Sequence, residues 1–124
     1  MDRVHSGSPY EPEVGFCRAR RVGNRILVAG TAPIEPDGGA AATAYEQMRR
    51  CTDIVTAALT ELGGSAADVV RTRMFITDPE DADEIGRAHR EVFGDAEPVA
   101  TMVVTRLLDP AWRIELEVEA VVAD

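Results

Sequence analysis

The stretch "RIELEVEAVV", residues 113–122, alternates without a break: Ile114, Leu116 and Val118 fall on one side, Glu115, Glu117 and Glu119 on the other. A period of two is that of a β-strand, whose successive side chains leave opposite faces of a sheet. One face of this strand is predicted to enter a core, and the glutamates share the other. Two readings of that glutamate face stand at this point. Either it is a solvated edge strand whose charges discourage edge-to-edge association, or one carboxylate lies on the inner face of an oligomer, where desolvation raises its pKa and lets it hold and activate water.

The neighbouring segments supply partners for the strand. Upstream, "EPVATMVVTRLL" (97–108) reads as another strand, divided from the first by "DPA". "DVVRTRMFITD" (68–78) alternates in the same way. Asp78 and Pro79 then carry the chemistry of a helix start, N-cap followed by first helical position, for a helix running to about Phe93 with Ile85, Ala88, Val92 and Phe93 inward. A longer helix opens with Thr43 and Glu46 at capping-box spacing. It carries Met48, Cys51, Val55, Ala58, Leu59 and Leu62 on one stripe and stops at Gly63-Gly64. Before it, "GFCRARRVGNRILVAGTAPI" gives two strands, Gly15 to Val22 and Arg25 to Gly30, turning at Gly23-Asn24. The segment ahead of Gly15, rich in Gly, Pro and Ser, reads as loop. The order is β-β-α-β-α-β-β, and residues 1–124 form a single domain.

Two helices cover one face of such a sheet and leave the other free. That free face carries Val69, Phe75 and either Met102 or Thr101 according to parity, too apolar for contact with water alone. The expectation is a closed homo-oligomer packed through its sheets.

Composition removes several classes of function. With 13 basic against 22 acidic residues, net charge −9, the chain lacks the clustered cations that bind phosphate backbones or anionic membranes, so neither nucleic acid nor membrane is an expected partner. Arg18, Arg20 and Arg21 in "RARR" read as a solvated face. No apolar run approaches the ~20 residues of a bilayer span and the N-terminus lacks a signal-like apolar core, so a cytoplasmic location is expected. Cys17 and Cys51 read as buried thiols rather than a disulfide or zinc site. His5 and His89 sit in no ligand pattern, and His89 reads as surface or packing. Trp112, Tyr10 and Tyr45 are too sparse for a base-stacking platform, and no G-x-S-x-G elbow or P-loop occurs. Neither a metal nor a cofactor is called for, and no nucleophile is nominated.

Four phrases in order, "VGNRILVAGTAPI", "AADVVRTRMFITD", "EPVATMVV" and "IELEVEAVV", resemble the RidA/YjgF family of reactive-intermediate imine deaminases, which includes proteins labelled L-PSP endoribonuclease. The resemblance runs from about Gly15 to Ala123. It implies a chorismate mutase-like α+β fold: a mixed sheet with two helices on one face, assembled as a homotrimer around a central sheet barrel, with a small-molecule ligand in each intersubunit cleft. In the family's deaminases an arginine in a Pro-Ala-Arg-Ser/Thr phrase clamps the carboxylate of a 2-imino acid, and a glutamate on the last strand helps place the attacking water. Here the phrase is Pro98-Val99-Ala100-Thr101, so Ala100 holds the arginine's place, and the glutamate corresponds to Glu117. The family's tyrosine falls at Phe16 or Cys17, its serine at Ala29 before Gly30, and its helix asparagine at Gly86.

Alanine supplies neither of the charge-assisted hydrogen bonds of a guanidinium. Arg106, six residues along the strand, lies roughly 20 Å from Ala100 and cannot stand in, which leaves Arg73 and Arg113 as candidates. What the resemblance implies is thus a hydrolase of an imine, enamine or related substrate without a carboxylate. Glu117 is its catalytic residue, and Phe16, Ala29, Gly30, Thr31, Ala100, Thr101 and Trp112 form the substrate-binding walls. The alternative is a trimer that binds or senses a small molecule without catalysis. An RNase or translation-inhibitor role is disfavoured by the −9 charge. A raised pKa is expected at Glu117, with Arg71 and Arg73 as basic partners for Glu115 and Glu119.

Overall fold

The computed structural model describes residues 2–123. Its strands are β1 (Arg3–Val4), β2 (Ala19–Val22), β3 (Arg25–Thr31), β4 (Val69–Ile76), β5 (Val99–Val104) and β6 (Ile114–Val121). The helices are α1 (Tyr10–Val14), α2 (Ala44–Glu61) and α3 (Ala82–Phe93). All six strands form one mixed sheet in the order β1-β2-β3-β6-β4-β5, antiparallel except for the parallel β4–β5 pair.

The glutamate-bearing strand is therefore interior, between β3 and β4, which overturns its reading as an edge. Ile114, Leu116, Val118 and Ala120 are each exposed by 1% or less. They meet the stripe of α2, where Met48, Cys51, Val55, Ala58 and Leu59 are buried, and Ile85, Ala88 and Phe93 of α3. The α2 cap is formed as its spacing requires, with Glu46 N–H donating to Thr43 Oγ1 and Thr43 Oγ1 donating to Glu46 Oε1.

The residues ahead of Gly15 are a correction. They are not simple loop, because Arg3 and Val4 pair with Arg20 and Ala19 to add an edge strand, and Tyr10–Val14 forms a short helix ended by Gly15 at φ 95°. That positive φ favours glycine and excludes Gly15 from the strand that follows, which begins at Ala19. Before α3, Asp78 does cap Glu80 N–H, but Pro79–Asp81 closes as a tight 3₁₀ turn and the α-helix begins at Ala82.

Two register details position the site. Val28 pairs with Val118 and Thr31 with Leu116, so β3 carries one residue more than β6, and the Ala29-Gly30 bulge stands opposite Glu117. On the other flank Arg71 faces Glu119, Arg73 faces Glu117 and Phe75 faces Glu115. The helix-free face leaves Leu27, Val99 and Val103 exposed by 39%, 60% and 41%. Among the described residues, no helix is long and apolar enough to cross a membrane.

Candidate functional site

The bulge gives each of two glutamates its own concavity. A groove of about 670 Å³ runs along the helix-free face past Glu117 and Glu119, walled by Phe16, Cys17, Leu27 and Ala29. A second cavity, about 690 Å³, opens at the end of β3 beneath the Thr31–Gly38 segment, and Glu115 lines it with Phe16, Ala29, Gly30, Thr31 and Trp112.

Glu117 is held by Arg73, whose Nη1 donates to Oε1, leaving Oε2 free of that contact. Glu119 pairs with Arg25 at 3.1 Å. Glu115 receives no arginine from β4, since its register partner is Phe75, and among the described residues it has neither a hydrogen bond nor an ion pair. Burial pushes its carboxyl above the ordinary value, the Arg18 charge pulls it back and the Glu117 charge adds to the rise. The raised carboxyl expected at Glu117 is thus found two residues away. Gly30 makes the room: a Cβ there would stand 2.5 Å from Glu115 Oε2.

Behind the cavity lies a polar cluster that reading the sequence missed. Arg18 is only 4% exposed, which corrects its assignment to a solvated face. Its guanidinium donates to Thr31 Oγ1 at 3.0 Å, to the Gly30 carbonyl and to Glu11 Oε2 at 3.3 Å. Glu11 is buried on α1. Burial alone would raise its carboxyl, but hydrogen bonds from the Ser6 amide and hydroxyl, together with the Arg18 charge, outweigh it and hold the group below the ordinary range. Cys51 is buried behind Thr31, donating to its carbonyl, and burial with the Glu115 charge pushes the thiol up. Cys17 is a correction, partly exposed in the groove rather than buried.

The remaining expected residues lie elsewhere. Ala100 and Thr101 sit on the edge strand β5, in register with Thr72 and Arg73. Thr101 therefore shares the helix-free face with Arg73 and Glu117, two strand spacings or about 10 Å from the latter, while Ala100 projects to the helix side beside Thr72. Thr72 Oγ1 and His89 Nε2 are 2.8 Å apart, and burial lowers the His89 pKa. Arg113 is paired with Asp81 at 3.2 Å. Among the described residues no group of three or more His, Cys, Asp or Glu side chains is arranged to hold a metal ion.

This combination of sheet order, bulge and glutamate row can be compared with known proteins. The family model described as Endoribonuclease L-PSP matches residues 7–122. The chain belongs to the RidA/YjgF family. An uncharacterized protein of Streptomyces coelicolor is 38% identical over 95% of this chain and 90% of its own length. A RutC family protein of Pyrococcus abyssi is 33% identical over 82% of each. Among solved structures, a Mycobacterium tuberculosis member of the YjgF/YER057c/UK114 family superposes with TM-score 0.88 at 39% identity, covering 97% of this chain and 98% of its own. Escherichia coli TdcF, solved with bound serine, shares the RidA/YjgF fold at TM-score 0.81 and 22% identity.

Proposed function

We propose that the protein is a RidA-type hydrolase of small imines or enamines that carry no carboxylate, working as a homotrimer whose clefts join the Glu117 groove of one subunit to a β5 edge of the next. The observation that carries this reading is Glu117 standing opposite the Ala29-Gly30 bulge in an apolar-walled groove, with alanine at position 100. Arg73 fixes one carboxylate oxygen, and the other accepts a proton from water as it adds to the imine carbon. Glu117 returns that proton to the nitrogen, and the carbinolamine then collapses, its hydroxyl proton passing to the departing nitrogen through the same carboxylate, to expel the amine and leave a carbonyl. Phe16 and Ala29 wall the groove, while Gly30, Thr31 and Trp112 line the adjoining Glu115 cavity; Thr101, with Ala100 beside it on the β5 edge, would close the groove from the neighbouring subunit. The exposed Leu27, Val99 and Val103 support burial of the helix-free face against another copy.

The test generates imines in situ, with an amine oxidase for uncharged ones and an amino-acid oxidase for 2-imino acids. The wild type accelerates the first class and not the second. Glu117→Gln loses on the order of a hundredfold, the scale of a positioned general base, and Ala100→Arg gains activity on the imino acid. Efficient wild-type hydrolysis of 2-iminopropionate would sink the reading. A second reading, a trimer that binds a small molecule without turnover, is favoured by the Arg73 ion pair, which already engages the Glu117 carboxylate. Inert wild type with a gain in Ala100→Arg would select it.

A further inference from the structure

The charges that line the Glu117 groove do not cancel at its far end. Glu117 is answered by Arg73, Glu119 by Arg25 and Glu11 by Arg18, and the His5 ring lies 3.2 Å from Glu11. Arg3 reaches only Asp2, its exposed chain neighbour, at 3.2 Å. Arg20 lines the groove from an exposed position on β2, and its side chain has neither an ion pair nor a hydrogen bond among the described residues. Register sets these groups in a row. Arg3 pairs with Arg20, Arg20 with Leu27 and Leu27 with Glu119, so the four share the helix-free face across β1, β2, β3 and β6. Two arginines therefore stand at one end and the carboxylates at the other, with Leu27 as an apolar floor between them. With strands about 4.8 Å apart and residues about 3.3 Å apart along them, the Cα of Arg20 lies about 12 Å from that of Glu117.

Such a groove reads a molecule at two points. An imine carbon set against Glu117 lays the body of the substrate over Leu27, and the group at its other end meets Arg20 and Arg3. A neutral group there gains little from a guanidinium, and a cationic one is repelled. An oxyanion gains charge-assisted hydrogen bonds, and two neighbouring guanidiniums suit a phosphate, whose three terminal oxygens accept from both. Alanine at position 100 bears on the opposite end of the substrate, where it removes the clamp for a carboxylate on the imine carbon itself. We propose that the groove takes small imines bearing a phosphate monoester at the end remote from the imine carbon, with Arg20 as the specificity-determining residue and Arg3 beside it. The proposal rests on the hydrolase reading of Glu117 for its chemistry, while its recognition half can be measured without turnover.

Isothermal titration calorimetry at pH 8 compares pentyl phosphate with 1-pentanol on wild type, Arg20→Gln, Arg20→Lys and Arg3→Gln. The wild type binds the phosphate about tenfold or more tighter than the alcohol, the scale of a charge-assisted hydrogen bond. The advantage shrinks as salt is added, because both arginines are exposed. Arg20→Gln removes most of it while circular dichroism shows an unchanged fold. Arg20→Lys retains part, and Arg3→Gln, whose charge Asp2 already answers in part, costs less. Kinetics then uses the imines of pentanal, 5-phosphooxypentanal and 2-phosphooxyethanal, each released from its N-chloramine. The phosphate of the five-carbon imine lowers KM about tenfold, and the two-carbon imine, too short to span the groove, gains nothing. Equal binding of phosphate and alcohol overturns the proposal, as does a preference that survives Arg20→Gln or an equal gain for the short imine. Hydrolysis of pentanal imine in those cases leaves the Glu117 reading standing. Phosphate-selective binding through Arg20 with no turnover of any imine has the opposite meaning: the recognition stands and the hydrolase reading falls.

Discussion

Glu115 and Glu117 stand two residues apart on one strand and one face, yet their surroundings give them different chemistry. Glu117 faces Arg73 across β4 and the Ala29-Gly30 bulge across β3, so its charge is compensated and its groove is open. Glu115 faces Phe75 and folds over the bare backbone of Gly30 into a cavity whose lining cations are committed elsewhere, Arg18 to Glu11, Gly30 and Thr31 and Arg50 to Glu35 and the Ile34 carbonyl. A one-step difference in cross-strand register thus separates an ion-paired carboxylate from an unpaired one. A row of like charges on one strand is tolerated because each member is answered, or left unanswered, by a different neighbour.

The largest effect that would test this contrast comes from behind the cavity. Arg18→Leu removes the guanidinium from buried Glu11 and leaves it the Ser6 hydrogen bonds and the His5 imidazole at 3.2 Å, a change that costs roughly 3–5 kcal/mol when one member of a buried pair is removed. Chemical denaturation at pH 7 measures it. The folded-state pKa of Glu11 is lowered, so its contribution is present above the unfolded value near 4.5 and is lost as pH falls below it. The deficit of Arg18→Leu therefore shrinks in acid. A deficit below about 1 kcal/mol at pH 7, typical of exposed pairs, would show that Arg18 does not hold Glu11 in place.

A smaller effect sharpens the comparison at Glu115 itself. Its folded-state pKa is raised, so the stability linked to its protonation is fully present below the unfolded value near 4.5 and is lost as pH rises through the folded one. Glu115→Gln, which cannot ionise, has a higher Tm than the wild type at pH 8, and the two converge at pH 4. Calorimetric scans at both pH values check this. Identical Tm differences at the two would mean that Glu115 is as solvated as an ordinary surface carboxylate.

The alternation of residues 113–122 made β6 legible, and the stripe from Met48 to Leu62 made α2 legible, because both depend on period alone. That β6 is interior was not legible from its own pattern, since alternation describes which face is buried and not how many neighbours a strand has. The resemblance to a known family pointed to Glu117 and to the loss of the arginine at Ala100. Arg18 and Glu115 escaped for a common reason. Arg18 is buried only because α1, a five-residue helix in a segment rich in turn formers, carries Glu11 to it, and Glu115 is unpaired only because β4 presents Phe75 at that register. Both facts are tertiary, and neither leaves a periodic trace.

The smallest effect on stability is expected at the other end of the comparison, where function is the better readout. Arg73 and Glu117 are exposed by 39% and 36%, so their ion pair contributes no more than about 1 kcal/mol after solvent screening, and Arg73→Met shifts the denaturation midpoint little. Its consequence falls on the reaction. Arg73 touches no reacting atom in the proposed mechanism. It is a positioning residue that fixes Oε1 and so aims Oε2 at the water. Arg73→Met lowers kcat for carboxylate-free imines by about tenfold with KM nearly unchanged, the pattern of lost orientation rather than lost binding. Because the contact is a single Nη1 donation rather than a fork, Arg73→Lys can restore it and recovers most of kcat. If Met and Lys variants lose activity equally, the guanidinium is bound to substrate instead. If both exceed the wild type, the ion pair restrains Glu117, and the contrast with Glu115 becomes one between a shielded carboxylate and a free one.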